Sequence, residues 1–139
     1  QIFMLSSMNC DALPPFILVV NPETITQVLD YSDRRSVPIF GDCGSAAVVS
    51  LSVPSRLSIE SCRMDSNPHG WDKVVIPRMG HFSQDGNAVQ GFAIRKATEG
   101  LRRLQAEYAG IPADRFKFIG HQANLGMLKT VIERCGMDE

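Results

Sequence analysis

The chain has 139 residues, 44% of them hydrophobic, with 14 basic and 15 acidic side chains and a net charge of −1. That length suits a single domain, and that apolar share can supply a core. The near-neutral charge argues against nucleic acid or an anionic membrane as partner, and no apolar run approaches the roughly 20 residues that span a bilayer.

Residues 1–10 read weakly as the end of a helix. The opening Gln1-Ile2-Phe3-Met4-Leu5 is too short for a signal peptide and lacks a basic flank. After the Pro14-Pro15 break, Phe16-Ile17-Leu18-Val19-Val20 is a continuous apolar run, the pattern of a strand buried on both faces. Residues 21–36 are polar and turn-rich. Strands are expected at Val37–Phe40, at Ala46–Val53 and, from the alternation of Leu57 and Ile59, at Leu57–Cys62, with a small-residue turn over Gly41–Ser45.

Residues 63–84 show no clear period. Asn67-Pro68-His69-Gly70 marks a turn, and Val74-Val75-Ile76 reads as a short strand or an ordered loop. A long helix is expected from about Asn87 to Ala109, N-capped by Asp85 and closed by Gly110 and Pro112. Val89, Phe92, Ala93, Ala97, Leu101, Leu104 and Tyr108 would form its apolar face. A strand at Phe116–Ile119 then leads into a last helix, Asn124 to Cys135, with Leu125, Leu128, Val131 and Ile132 facing inward. Strand-rich sequence followed by helix, strand and helix indicates a mixed α/β layered fold.

The residues best suited to chemistry are His121 and Asn124, in the Gly-His turn between the expected strand and the last helix. An imidazole there can donate to a developing oxyanion or shuttle a proton. The competing reading is a buried structural histidine, with Asn124 as a plain helix cap. Asp42, in Phe40-Gly41-Asp42-Cys43-Gly44-Ser45, can brace a turn with its carboxylate, and the segment reads foremost as a tight structural turn. Gln84-Asp85-Gly86-Asn87 is either a plain helix start or a place where substrate passes close to backbone. Asp33-Arg34-Arg35 is either a phosphate contact or a solvated charge cluster.

The four cysteines, Cys10, Cys43, Cys62 and Cys135, have no CxxC spacing, which points to a reduced, cytoplasmic protein. None sits at a helix N-terminus, where a nucleophilic thiol is usually found, so all four read as structural. His69, His81 and His121 form no metal-ligand pattern with them, and no metal is expected. The chain opens on Gln1 rather than Met and stops just after a glycine-capped helix, so it reads as a piece of something longer.

Three segments, in this order, resemble 3-oxoacyl-[acyl-carrier-protein] synthase III, the ketoacyl synthase III group of the thiolase fold. Ile39-Phe40-Gly41-Asp42-Cys43-Gly44-Ser45-Ala46-Ala47-Val48 is similar to the family's FGDGAGA-V turn. Asp85-Gly86-Asn87-Ala88-Val89 is similar to its helix-opening GNEV segment, and Gly120-His121-Gln122-Ala123-Asn124-Leu125 matches its HQANL motif. The resemblance runs over roughly residues 16 to 137. It implies a thiolase-like layered α/β fold, present here as an incomplete portion. Residues 1–62 would be the end of the N-terminal half, 63–86 a connecting, substrate-side loop, and 87–139 the start of the C-terminal half.

The resemblance also implies a decarboxylative Claisen condensation, in fatty acid or secondary-metabolite biosynthesis. An acyl group from acyl-CoA loads onto a cysteine, and the carbanion from a decarboxylated malonyl thioester attacks it. The family's catalytic histidine falls on His121. Asn124, Gly86, Gln90 and Ala123 fall on the substrate pocket. No permanently bound cofactor is implied; acyl-CoA and a malonyl thioester are the substrates, with acyl carrier protein and a second copy of the chain as partners.

The departures are specific. The family's nucleophilic cysteine lies upstream of the first strand here, and Cys10 is not its equivalent. Its catalytic asparagine lies about thirty residues beyond the histidine, whereas 18 residues follow His121. The isolated chain is therefore expected to be inactive. Gly126 stands where the family often has an arginine associated with carrier docking, and Gln90 where an aromatic residue commonly lines the pocket. Cys43 replaces a glycine of the turn. The alternative reading is a non-catalytic thiolase-fold subunit or assembly module.

Overall fold

The computed structural model describes residues 13–137, and the chain divides into two compact units, Gln1–His69 and Gly70–Glu139. The helix read over residues 1–10, and Cys10 with it, lies outside the described residues.

The first unit is built on an antiparallel ribbon. β1 (Ile17–Glu23) pairs with β2 (Cys43–Val49), in a register running from Ile17 opposite Val49 to Glu23 opposite Cys43. Side chains directly opposite one another share a face in such a ladder. One face carries Val19, which is buried, together with half-buried Ile17 and Val49. The other carries Leu18 opposite Val48, at 64% and 68% exposure, and Val20 opposite Ala46. The expected strand is therefore present, but it is covered on one face rather than two.

Other expectations in this unit are corrected. Val37–Ile39 is a short 3-10 turn rather than a strand, because Pro38 has no N–H to give a ladder. β2 begins at Cys43, inside the expected turn, and among the described residues no non-glycine has a positive φ, so Cys43 sits in ordinary extended backbone. β2 stops at Val49 because Ser50 Oγ accepts the backbone N–H of Ser52 at 3.2 Å and of Val53 at 2.9 Å, turning the chain. Leu57–Cys62 forms no strand. Its alternation is real, but no described segment pairs with it, and Leu57 and Ile59 are exposed.

The second unit opens with a two-residue ladder, β3 (Val74–Val75) with β4 (Ser83–Gln84), joined through a turn in which Gly80 N–H donates to Pro77 O at 3.2 Å. Phe82 is buried just before β4. Helix α1 (Gly86–Glu107) follows at once. Asp85 ties ladder and helix together. Its Oδ1 caps Ala88 N–H at 3.1 Å, its own N–H donates to Lys73 O at 2.9 Å, and its Oδ2 lies 4.0 Å from Lys73 Nζ.

Helix α2 (Leu125–Arg134) packs on α1. Leu101 of α1 and Val131 of α2 are 3% and 2% exposed. Thr98 is buried beside them; its hydroxyl donates to Ile94 O at 2.7 Å and is thereby satisfied. Arg102 and Gln105 of α1 donate to the last carbonyls of α2, at Arg134 O (2.7 Å) and Cys135 O (3.1 Å). A cation is well placed at a helix C-terminus, where the carbonyls leave a partial negative charge. Gly136, at φ +62°, completes a Schellman motif: Gly136 N–H donates to Glu133 O and Met137 N–H to Ile132 O, both at 3.1 Å.

Two expectations fail here as well. Phe116–Ile119 is irregular rather than a strand, although Phe116 and Phe118 are half-buried while Lys117 and Ile119 are exposed. The alternation is that of a strand, but among the described residues it has no ladder partner. Leu125, at the first position of α2, is exposed rather than inward.

Leu101→Ala is expected to destabilise the chain by about 2–4 kcal/mol, as for a buried leucine in a helix interface. Leu18→Ala, on the open sheet face, should stay within roughly 0.5 kcal/mol. Urea unfolding followed by circular dichroism checks both.

Candidate functional site

His121, Gln122, Ala123 and Asn124 form one exposed turn between the irregular Phe116–Gly120 segment and α2. Asn124 ends it in extended backbone (φ −157°, ψ 120°). Its Oδ1 accepts Met127 N–H at 3.3 Å, and its carbonyl accepts Leu128 N–H at 3.2 Å. Asn124 is thus the helix cap that its position suggested. With Oδ1 engaged, its amide NH2 is the group left to meet a ligand. His121 is open to solvent, which removes the reading of a buried structural histidine. It lies on the approach to the N-terminus of α2, where the unpaired N–H groups favour negative charge.

The turn brings together His121, Ala123 and Asn124. Gly86 and Gln90 lie elsewhere in the same unit, one turn apart at the start of α1, and both are exposed. Gly86 is the first helical residue after the Asp85 cap, so the backbone there carries no side chain that would block an approaching group. Gly126, in the first turn of α2, has Asn124 Oδ1 only 3.2 Å from where a Cβ would stand. A side chain at that position would crowd the cap oxygen.

Asp42 belongs to the other unit. Its carboxylate accepts Thr26 N–H at 2.9 Å and the Thr26 hydroxyl at 2.6 Å. The brace therefore spans sixteen residues, from the 3-10 turn just after β1 to the start of β2, rather than closing a local turn. The hydroxyl bond, followed by the backbone bond, holds the Asp42 carboxyl below its ordinary value. Thr26 could not be found from the sequence, because nothing in the run Thr24-Ile25-Thr26-Gln27 marks one threonine as a partner. The Asp33-Arg34-Arg35 cluster lies at the surface. Arg35 Nε pairs with Asp33 Oδ1 at 3.1 Å, with the Arg35 side chain 93% exposed.

A groove of about 540 Å³ lies in the first unit, between the end of the ribbon and the irregular stretch after it. Phe16, Val48, Leu51, Val53, Leu57 and Ile59 are among its lining residues, and none of the predicted site residues is. Cys43 and Cys62 are exposed, and Cys135 follows α2, so none of these three heads a helix. Among the described residues, no three His, Cys, Asp or Glu side chains gather closely enough to hold a metal ion. No helix among them is long and apolar enough to cross a membrane.

A family model of 3-oxoacyl-[acyl-carrier-protein] synthase III matches residues 14–68, which include β1, β2 and the Asp42 brace. The chain is 30% identical over 124 residues to the beta-ketoacyl-[acyl-carrier-protein] synthase III of Oceanobacillus iheyensis, and 32% identical over 124 residues to that of Staphylococcus haemolyticus. Each alignment takes in 88% of this chain but 39% of the relative, so the chain spans about two-fifths of the length of these proteins. Among solved structures it resembles the 3-oxoacyl-(acyl carrier protein) synthase III of Pseudomonas aeruginosa (TM-score 0.74, 25% identity, 92% of this chain and 42% of that one). It also resembles the synthase III of Thermus thermophilus (TM-score 0.77, 25% identity, 89% of this chain and 42% of that one). The architecture is accordingly part of a thiolase-type α/β fold.

Lowering the pH should loosen the Asp42 brace. A carboxyl held below its ordinary value contributes stability that is fully present above the unfolded value of about 3.8 and is lost as pH falls through the lower folded value. The protection of Thr26 N–H against hydrogen exchange, measured relative to the intrinsic rate at each pH, should therefore fall as pH drops below about 4. In Asp42→Asn that protection should be small and should lack this pH dependence.

Proposed function

We propose that this chain, a relative of the 3-oxoacyl-[acyl-carrier-protein] synthase III family, carries the enolate-stabilising histidine of a decarboxylative condensing enzyme. The observation that supports this most is the His121 turn, with an exposed imidazole and a capping asparagine at the head of α2, inside the motif that the family uses for this purpose. Bound against this turn, a malonyl thioester would direct its carbonyl oxygen at the His121 N–H. Loss of carbon dioxide leaves electron density at the α-carbon and on that oxygen, and a preorganised donor lowers the barrier by meeting the charge as it forms. The carbanion then attacks the carbonyl of an acyl-cysteine, a new carbon–carbon bond forms, and the cysteine thiolate leaves.

On this reading Asn124, Ala123, Gly86 and Gln90 line the thioester path. Gln90 in place of an aromatic residue implies a more polar acyl pocket. The substrates are acyl-CoA and a malonyl thioester, no bound cofactor takes part, and the setting is fatty acid or secondary-metabolite biosynthesis in the cytoplasm, with a homodimer as the working assembly. The acyl-accepting cysteine is not supplied by Cys43, Cys62 or Cys135, none of which heads a helix. On this reading, with Cys10 not the family's nucleophile either, the chain by itself is expected to be inactive.

One observation favours a second reading, a thiolase-fold module that supports assembly without turnover. Large apolar side chains including Leu18, Val48, Leu57, Trp71 and Met79 are exposed, which suits a surface destined to be covered.

Titration with malonyl-CoA, followed through the His121 side-chain signals by NMR, separates the two readings. A response at His121 that disappears in His121→Ala supports the enolate role, and no response at any ligand concentration overturns it. Acetyl-CoA and a malonyl carrier thioester mixed with the chain should yield no condensation product. Carrier docking should be weak, since Gly126 offers no cation. Gly126→Arg is expected to strengthen it by at most about 1 kcal/mol, the upper worth of an exposed ion pair, as read by calorimetry, with the Asn124 cap giving way slightly to the new Cβ.

A further inference from the structure

We infer that Gly120 is a positioning residue for His121, through the close approach of its backbone to the side-chain ends of Leu128 and Phe118. The inference rests on the reading of His121 as the enolate donor. A Cβ built on Gly120 would overlap Leu128 Cδ2 and would lie 2.9 Å from Phe118 Cζ and 3.0 Å from its Cε1. The backbone immediately before His121 therefore lies flat against two half-buried apolar side chains. Leu128 also holds the far end of the same turn, because its N–H donates to Asn124 O at 3.2 Å. One residue of α2 thus brackets the His121–Asn124 turn at both ends, by van der Waals contact at Gly120 and by a helix hydrogen bond at Asn124.

The purpose of such a bracket follows from the chemistry. An oxyanion donor works only when its N–H is held at hydrogen-bond distance from the place where charge develops. A shift of about 1 Å in a positioned group can cost two orders of magnitude in rate. His121 lies in an exposed turn and has no ladder behind it, since Phe116–Gly120 is irregular. Packing of Gly120 on Leu128 takes the place of that ladder. A side chain at 120 would displace the ends of the Leu128 and Phe118 side chains, and with them the packing that holds the backbone before His121.

Side-chain NMR of the full 139-residue chain tests this, since its three histidines, His69, His81 and His121, can be followed separately. Gly120→Ala and Leu128→Ala should each displace the His121 signals and leave His69 and His81 in place. In Gly120→Ala/Leu128→Ala the new methyl fills the space that Leu128 vacates, and His121 should return towards its original position. That non-additivity is the signature of contact between the two sites. A loss of stability alone would move the melting temperature but not the His121 signals of the folded molecules.

Affinity for malonyl-CoA should fall about tenfold or more in Gly120→Ala and recover in the double variant. Unmoved His121 signals in Gly120→Ala, or shifts that simply add in the double variant, overturn the inference. If Gly120→Ala does not fold, the double variant decides alone: His121 near its original position supports the bracket, and His121 displaced as in Leu128→Ala refutes it. Failure of malonyl-CoA to perturb His121 in the unaltered chain refutes the enolate reading, and the ligand-free signals still report on the bracket.

Discussion

The packing of α1 on α2 is the contact on which the second unit depends. Leu101, Thr98 and Val131 are buried there, and Arg102 and Gln105 bind the exit of α2 by its last carbonyls. The Schellman turn at Gly136 closes that end, and the Asn124 cap closes the other. With both ends satisfied and one face buried, α2 is a rigid element. The exposed turn carrying His121 takes its position from that helix. A short helix of ten residues would be marginal in water without such packing.

Helices were legible in the sequence because their determinants are local. Asp85 and Asn124 stand where caps should stand, Gly136 where a left-handed terminus should, and the three- and four-residue spacing from Val89 to Tyr108 marks the face that packs, except at Leu104, which is exposed rather than inward. Even there, Leu125 was misplaced, since the first helical position of α2 points away from the packing that begins a turn later. Thr98 was missed as a core residue because its hydroxyl is satisfied inside its own helix, at Ile94 O.

Strands were legible only where both partners are in the described chain. β1 and β2 find one another across nineteen intervening residues. Leu57–Cys62 and Phe116–Ile119 carry the same alternation but have no partner to bond, so their pattern is visible and their ladder is not. The open face of Leu18, Val20 and Val48 is the same phenomenon seen from the side chains: a run apolar enough for burial on both faces, with only one face covered. The candidate site divides in a similar way. His121, Ala123 and Asn124 are adjacent in sequence and so were readable as a unit, whereas the Thr26–Asp42 brace is a distant pairing of two unremarkable polar residues.

Solvent exposure connects this open surface to the proposed chemistry. A hydrogen bond to a developing oxyanion is worth most in a site from which water is excluded, because water otherwise competes for the same charge. His121 stands in water here, as do Gly86, Gln90 and Asn124. On the proposed reading the turn supplies the donor and the contact of Gly120 with Leu128 holds it, and the low dielectric that would strengthen the donor requires that the turn be covered. Ile119 and Leu125, which flank the turn in the chain, are both exposed apolar side chains that such a cover would bury. Burial of such surface is a favourable process of about 25 cal/mol per Å², so the step that excludes water from His121 would also provide the driving force for assembly.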